Sequence, residues 1–107
     1  MKSLKAIVNI IGEIPKNKEP NALLVYVYKN SGGCLELYAK PVRRLEDGSF
    51  MRNSIKPEFA YTGNPITTLT NKALFNAFDE LFTQLEAHFQ TFGAKLEVTE
   101  KTIIMER

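Results

Sequence analysis

The sequence predicts an α+β fold: an antiparallel sheet of four to six strands with one long amphipathic helix packed on one face. Three observations lead there. Stretches of alternating apolar residues fill the first half of the chain, most clearly residues 22–29 and 34–40. Residues 70–92 instead repeat their apolar residues every three or four positions. Residues 94–107 return to alternation. A chain of 107 residues fits one domain, 1–107. Its 44% hydrophobic content argues against disorder and supplies a core.

The first element is the strand "LKAIVNII", residues 4–11. Leu4, Ala6, Val8 and Ile10 share one face, and Ile7 and Ile11 share the other with Lys5 and Asn9. A strand apolar on most of both faces belongs inside a sheet. Gly12, Pro15 and Pro20 then mark residues 12–21 as a loop.

In "LLVYVYKNSGGCLELYAK", residues 23–40, two strands flank a tight turn. A two-residue turn would mix the two side-chain faces. A three-residue turn, Asn30-Ser31-Gly32, pairs Val27 with Leu35 and Val25 with Leu37, with Gly32 supplying the positive φ. In that register, Leu23, Val25, Val27, Leu35, Leu37 and Ala39 share one face. Tyr26, Tyr28, Cys34, Glu36, Tyr38 and Lys40 share the other.

Asp47-Gly48 between Leu45 and Phe50 signals a second hairpin, with a turn of two or three residues. The shorter turn would oppose Arg43 to Arg52, and the longer would avoid that like-charge pair. Residues 57–69, with Pro57, Gly63 and Pro65, read as a connection. The helix of residues 70–92 presents Leu74, Phe78, Leu81, Leu85, Phe89 and Phe92, widened by Phe75 and Phe82. Thr70 or Asn71 caps its start, and Gly93 marks its stop. In the tail, Leu96 and Val98 alternate, then Ile103, Ile104 and Met105 change parity. A bulge, or a turn at Glu100-Lys101, accounts for the change.

Charge narrows the function classes. Lys and Arg number 14 against 12 Asp and Glu, a formal net charge of +2, which is too small to announce nucleic-acid binding. The basic residues are concentrated locally, however: Lys40, Arg43, Arg44, Arg52 and Lys56 lie close together in the sequence. Arginine suits bidentate contact with phosphate or carboxylate, and charged side chains also protect sheet edges. A single cysteine, Cys34, permits no intrachain disulfide, so no oxidising compartment is required. The N-terminal "MKSLKAIVNIIGEIP" has its apolar part broken by Asn9 and Glu13 and reads as strand rather than signal peptide. No apolar run approaches the roughly 20 residues needed to span a bilayer. These features lead to the expectation of a cytoplasmic protein with no membrane association.

No acid–base, nucleophile or metal-ligand constellation stands out. His88 is the only histidine and falls on the helix flank between core and solvent. The Asp79-Glu80 pair belongs to the solvated helix face, and Cys34 reads as a small filler. The expectation is therefore a non-catalytic interaction protein, such as an adaptor, inhibitor or immunity-type protein, without cofactor or metal. Its binding residues would be Tyr26, Tyr28, Tyr38, Lys40, Arg43, Arg44, Arg52 and Lys56. Tyr and Arg are enriched in protein interfaces. The alternative is a nucleic-acid-binding protein, in which the same tyrosines stack bases and the 40–56 basic cluster pairs with phosphates. The heavy phenylalanine stripe exceeds what one sheet readily covers, and its surplus edge points to a homodimer.

Overall fold

The computed structural model describes residues 2–12, 21–43, 45–47, 49, 59–91 and 93–105. Five strands and one helix follow in the order β1 (Lys2–Ile11), β2 (Ala22–Lys29), β3 (Cys34–Val42), β4 (Phe59–Pro65), α1 (Asn71–Gln90) and β5 (Lys95–Met105). All strand pairs are antiparallel, and the sheet order is β4-β3-β2-β1-β5. The first four strands form a meander. The helix then carries the chain across the sheet, so that β5 pairs with β1 at the opposite edge.

β1 lies inside the sheet, as its two-sided apolar pattern requires. Leu4, Ala6, Val8 and Ile10 are buried under the helix, with Leu23, Val25 and Val27 of β2 and Leu37 and Ala39 of β3. The helix contributes Leu74, Ala77, Phe78, Leu81 and Leu85 to this core. Phe75, Phe82 and Phe89 flank that stripe and pack against it half-buried. Lys101 of β5 places its ammonium 5.1 Å from the Phe75 ring centroid and 5.3 Å from that of Phe78. Part of the surplus aromatic edge is thus covered within the chain, in cation–π contact. Phe92 lies outside the described residues.

Thr70 caps the helix by accepting a bond from the Ala73 N–H at 3.0 Å. At the other end, the Ala94 N–H bonds to the Phe89 carbonyl and the Gly93 N–H to the Gln90 carbonyl. That pair of bonds, with Gly93 at φ +77°, is the Schellman arrangement that ends a helix.

Two local readings need correction. The hairpin of β2 and β3 pairs Val27 with Leu37 and Val25 with Ala39, two residues away from the expected register. Its turn keeps three residues but lies one further along the chain, Ser31-Gly32-Gly33, closed by the Asn30 N–H on the Cys34 carbonyl and the Gly33 N–H on the Asn30 carbonyl, and the positive φ of +84° belongs to Gly33, not Gly32. Asn30 explains the choice: its side-chain oxygen accepts from the Cys34 N–H at 3.0 Å, which ties together the two residues that flank the shifted turn. A shift of two preserves every side-chain face.

Residues 57–69 are not simply a connection, because Phe59–Pro65 forms β4. Gly63 and Pro65 are tolerated there because β4 is an edge strand, and its ladder with β3 shifts register between Cys34 and Glu36. Pro41, in turn, sits beyond the last β3 residue that β4 reaches, Ala39, where its missing N–H costs no ladder bond to β4.

The parity change in the tail is a bulge within one continuous strand, not a turn. Ile7 pairs with Glu100 and Val8 with Val98, which leaves Thr99 as the extra residue. The Thr99 hydroxyl donates to the Ile7 carbonyl at 3.1 Å. Leu96 before the bulge and Ile103 after it both pack against the core. In the 43–49 segment, the Leu45 N–H bonds to the Ser49 carbonyl at 2.8 Å, closing the longer of the two turns considered. Ser49 also donates its N–H and hydroxyl to Asp47 Oδ1, which holds the Asp47 carboxyl below its ordinary pKa. The rest of that hairpin, and most of the 12–21 loop, lie outside the described residues.

Candidate functional site

The helix covers one sheet face only. The opposite face is built from the alternate residues of each strand, and the ladder fixes their rows. Thr102, Lys5, Tyr26, Tyr38 and Ala60 form one row across all five strands. Ile104, Ser3, Tyr28, Glu36 and Thr62 form the next, and Glu100, Ile7, Leu24 and Lys40 lie on the other side. The side chains of Ser3, Ile7, Leu24, Tyr26, Tyr28, Tyr38, Lys40 and Ile104 are half-buried. At the far end of the face Ala22 and Val42 are buried.

The tyrosines are held in a definite arrangement. Tyr26 and Tyr38 are direct cross-strand neighbours, with ring centroids 4.9 Å apart and planes tilted by 32°. Tyr28 meets Tyr38 edge-on at 6.2 Å. Lys5 sets its ammonium 5.4 Å from the Tyr26 ring centroid. These contacts orient the rings and leave them half-buried.

Beside them lies a polar network that depends on the hairpin register. Tyr28 donates its hydroxyl to Glu36 Oε2 at 2.5 Å, and Asn30 Nδ2 donates to Glu36 Oε1 at 2.9 Å. Both bonds favour the carboxylate, so the Glu36 pKa is lowered, with the Tyr28 bond the larger cause. The same bond and the adjacent negative charge push Tyr28 up to about 12. Tyr38 is also raised, first by its burial, then by Tyr26 and Glu36. In the expected register Tyr28 would have faced Cys34, and this pairing would not exist.

The linkage has a definite sign. Tyr28 holds its proton more tightly folded than unfolded, so the stability it contributes is present below an ordinary tyrosine pKa of about 10 and is lost as pH rises toward 12. Glu36 holds its proton less tightly, so its contribution is present above an ordinary carboxyl pKa and is lost as pH falls below it. The Tyr28–Glu36 bond therefore persists across the neutral range. We expect the Tyr28 ring signal in NMR to titrate near 12 and to move down in the Glu36→Gln variant. An unchanged midpoint in that variant would show that the carboxylate does not hold the phenol proton.

Of the expected binding residues, Tyr26, Tyr28, Tyr38 and Lys40 share this face. Arg43 follows at the end of β3, half-buried and engaged in an interaction of its own. Arg44, Arg52 and Lys56 lie outside the described residues. The face also includes Lys5, Ile7, Leu24 and Ile104, beyond the residues expected from the sequence. The alternation in β1 carried that signal, but the identity of its neighbours did not. The hollow between β1, β2 and β5 on this face is lined by Lys5, Ile7, Leu24, Glu100, Thr102 and Ile104.

Elsewhere, His88 is exposed, with its ring edge-on to Phe59 at 5.1 Å and to Phe89 at 5.4 Å. Cys34 is half-buried at the start of β3. Asp79 and Glu80 are exposed on the helix. Among the described residues no three of His, Cys, Asp and Glu come together as metal ligands, and no helix is long and apolar enough to cross a membrane. Compared with protein-family models, curated proteins and solved structures, the chain has no match.

Proposed function

We propose that this is a non-catalytic interaction protein that binds a protein partner through the sheet face carrying Tyr26, Tyr28 and Tyr38. The observation that carries the reading is the face itself, which runs across all five strands on the side that the helix leaves open. Its tyrosines are pre-oriented by contacts with one another and with Lys5, and aliphatic side chains of Ile7, Leu24 and Ile104 surround them. Rigid aromatic rings with few rotatable bonds lose little entropy on binding, which suits them as interface anchors. The face is mixed in charge, with Lys5 and Lys40 against Glu36 and Glu100, as a protein interface rim tolerates well.

A nucleic-acid role is the second reading. Lys5 and Lys40 flank the paired tyrosines, and the basic run at 40–56 adjoins them in sequence. Against it stands the ionised Glu36, which is hydrogen-bonded to Tyr28 and would repel a phosphate chain laid over the rings.

The test is partner capture from a lysate of the source cells, with wild type and the Tyr26→Ala/Tyr38→Ala double variant in parallel. We expect the double variant to remain folded, because neither ring belongs to the core under the helix. The captured species should disappear. Capture of the same species by the folded double variant sinks the proposal. Oligonucleotide binding at two salt concentrations separates the readings: affinity falling steeply with salt supports the second. Absence of binding removes it.

A further inference from the structure

The rows of the open sheet face have an order that the seam between β1 and β2 divides in two. One row reads Glu100, Ile7, Leu24, Lys40 from β5 to β3. Its chemistry is acidic, apolar, apolar, basic. Read from the other end it is basic, apolar, apolar, acidic, so the row is its own complement. The neighbouring row reads Thr102, Lys5, Tyr26, Tyr38. Reversed, it sets Lys5 against Tyr26 and Tyr38 against Thr102. Ile7 and Leu24, half-buried at the seam, line a hollow of about 350 Å³ together with Lys5 and Glu100.

We infer that this face binds the same face of a second copy of the chain, across a two-fold axis that runs along the strands between β1 and β2. The inference rests on the proposed use of the face and names its occupant. A two-fold axis in the plane between two sheets lays β1 of one copy over β2 of the other, and β5 over β3. Strand directions then stay aligned, as packed sheets require. Ile7 of each copy meets Leu24 of the other, and Glu100 of each meets Lys40 of the other. One axis therefore makes both apolar contacts and both ion pairs. Charge complementarity selects the occupant, because this chain already carries the reversed row that another partner would have to supply.

The remaining charges fit the same axis. Lys5 already lies 5.4 Å from the centroid of its own Tyr26 ring, and in the pair it also faces the second copy's Tyr26. Glu100 lines the hollow beside it and supplies the countercharge. Glu36 falls at the rim opposite Ile104, and its carboxylate is already met by Tyr28 and Asn30. Across these rows two lysines balance two glutamates, so closing the face concentrates no net charge.

Sedimentation or light scattering over a concentration series reaching millimolar chain tests this. The wild type is expected to pass from one-chain to two-chain mass as concentration rises. Glu100 is exposed and Lys40 lies outside the core, so Glu100→Lys and Lys40→Glu should keep the fold, which circular dichroism checks. Each variant alone sets like charges against one another twice per dimer and should stay at one-chain mass where the wild type is dimeric. An equal mixture of the two restores both ion pairs and should recover two-chain mass. A wild type that keeps one-chain mass at millimolar concentration overturns the inference. So does a folded Glu100→Lys variant that dimerises as the wild type does, or a mixture that stays at one-chain mass. Lysate capture that the Tyr26→Ala/Tyr38→Ala variant abolishes, beside a wild type of one-chain mass, removes the second copy and keeps the face as a surface for another protein.

Discussion

Replacing Phe78 with alanine is expected to remove about 3–5 kcal/mol of stability, a large part of the 5–15 kcal/mol typical of a small domain. Phe78 is 2% exposed at the centre of the helix stripe, and its ring stacks on Phe82 at 5.8 Å with an 18° interplanar angle. Truncation loses the transfer energy of the ring and leaves a cavity between helix and sheet. It also withdraws one of the two rings over which Lys101 lies, so the β5 side of the helix loses cover. Urea denaturation should show the midpoint falling by about 2 M at an unchanged slope. A fall under about 0.5 M would mean that the helix is not clamped to the sheet by this residue. Tyr38→Ala provides the contrast: its ring lies on the other face, outside the core, and truncation there should cost far less.

Gly12→Ala is expected to cost about 2–4 kcal/mol although glycine contributes no side chain to any core. Gly12 follows β1 with φ +149°, a conformation that a residue with a β-carbon rarely adopts. A methyl group there would sit 2.9 Å from the Ala94 Cα and 3.0 Å from the Gly93 carbonyl oxygen. Both obstacles are backbone, so neither can swing aside as a flexible side chain would. Relief requires moving the Gly93-Ala94 segment, where the helix has just ended and β5 is about to pair with β1. Ala94 is itself buried, which restricts that movement. Thermal unfolding followed by circular dichroism measures the loss. A Gly12→Ala protein melting within a degree or two of wild type would show that β1 and the α1–β5 junction do not approach this closely.

The tyrosine face shows the divided origin of a binding surface. Tyr26, Tyr28, Tyr38 and Lys40 could be assigned to one face from alternation alone, because a strand's side-chain period of two survives any register shift of two. The Tyr28–Glu36 bond could not, because it depends on which residue stands opposite which. That was decided by the Asn30 side chain, which bonds the Cys34 N–H and so favours the turn one residue further along. Lys5 and Ile7 joined the face only once β1 was placed beside β2, a long-range choice that no local pattern records.

Several features were settled by the sequence itself: a helix within residues 70–92 with its cap at Thr70 or Asn71 and its stop at Gly93, the inward faces of β1, β2 and β3, and the parity break in the tail. Each follows from local periodicity or from the conformational preference of one residue. The tertiary structure alone decided that residues 59–65 form a strand, since their ladder needs β3 beside them and their own glycine, asparagine and proline argue against it. It alone decided that the tail pairs with β1, that Thr99 is the bulged residue, and that Gly12 meets Ala94. These are contacts between residues far apart in the chain, where the energy comes from burial and shared hydrogen bonds and local propensity has no vote.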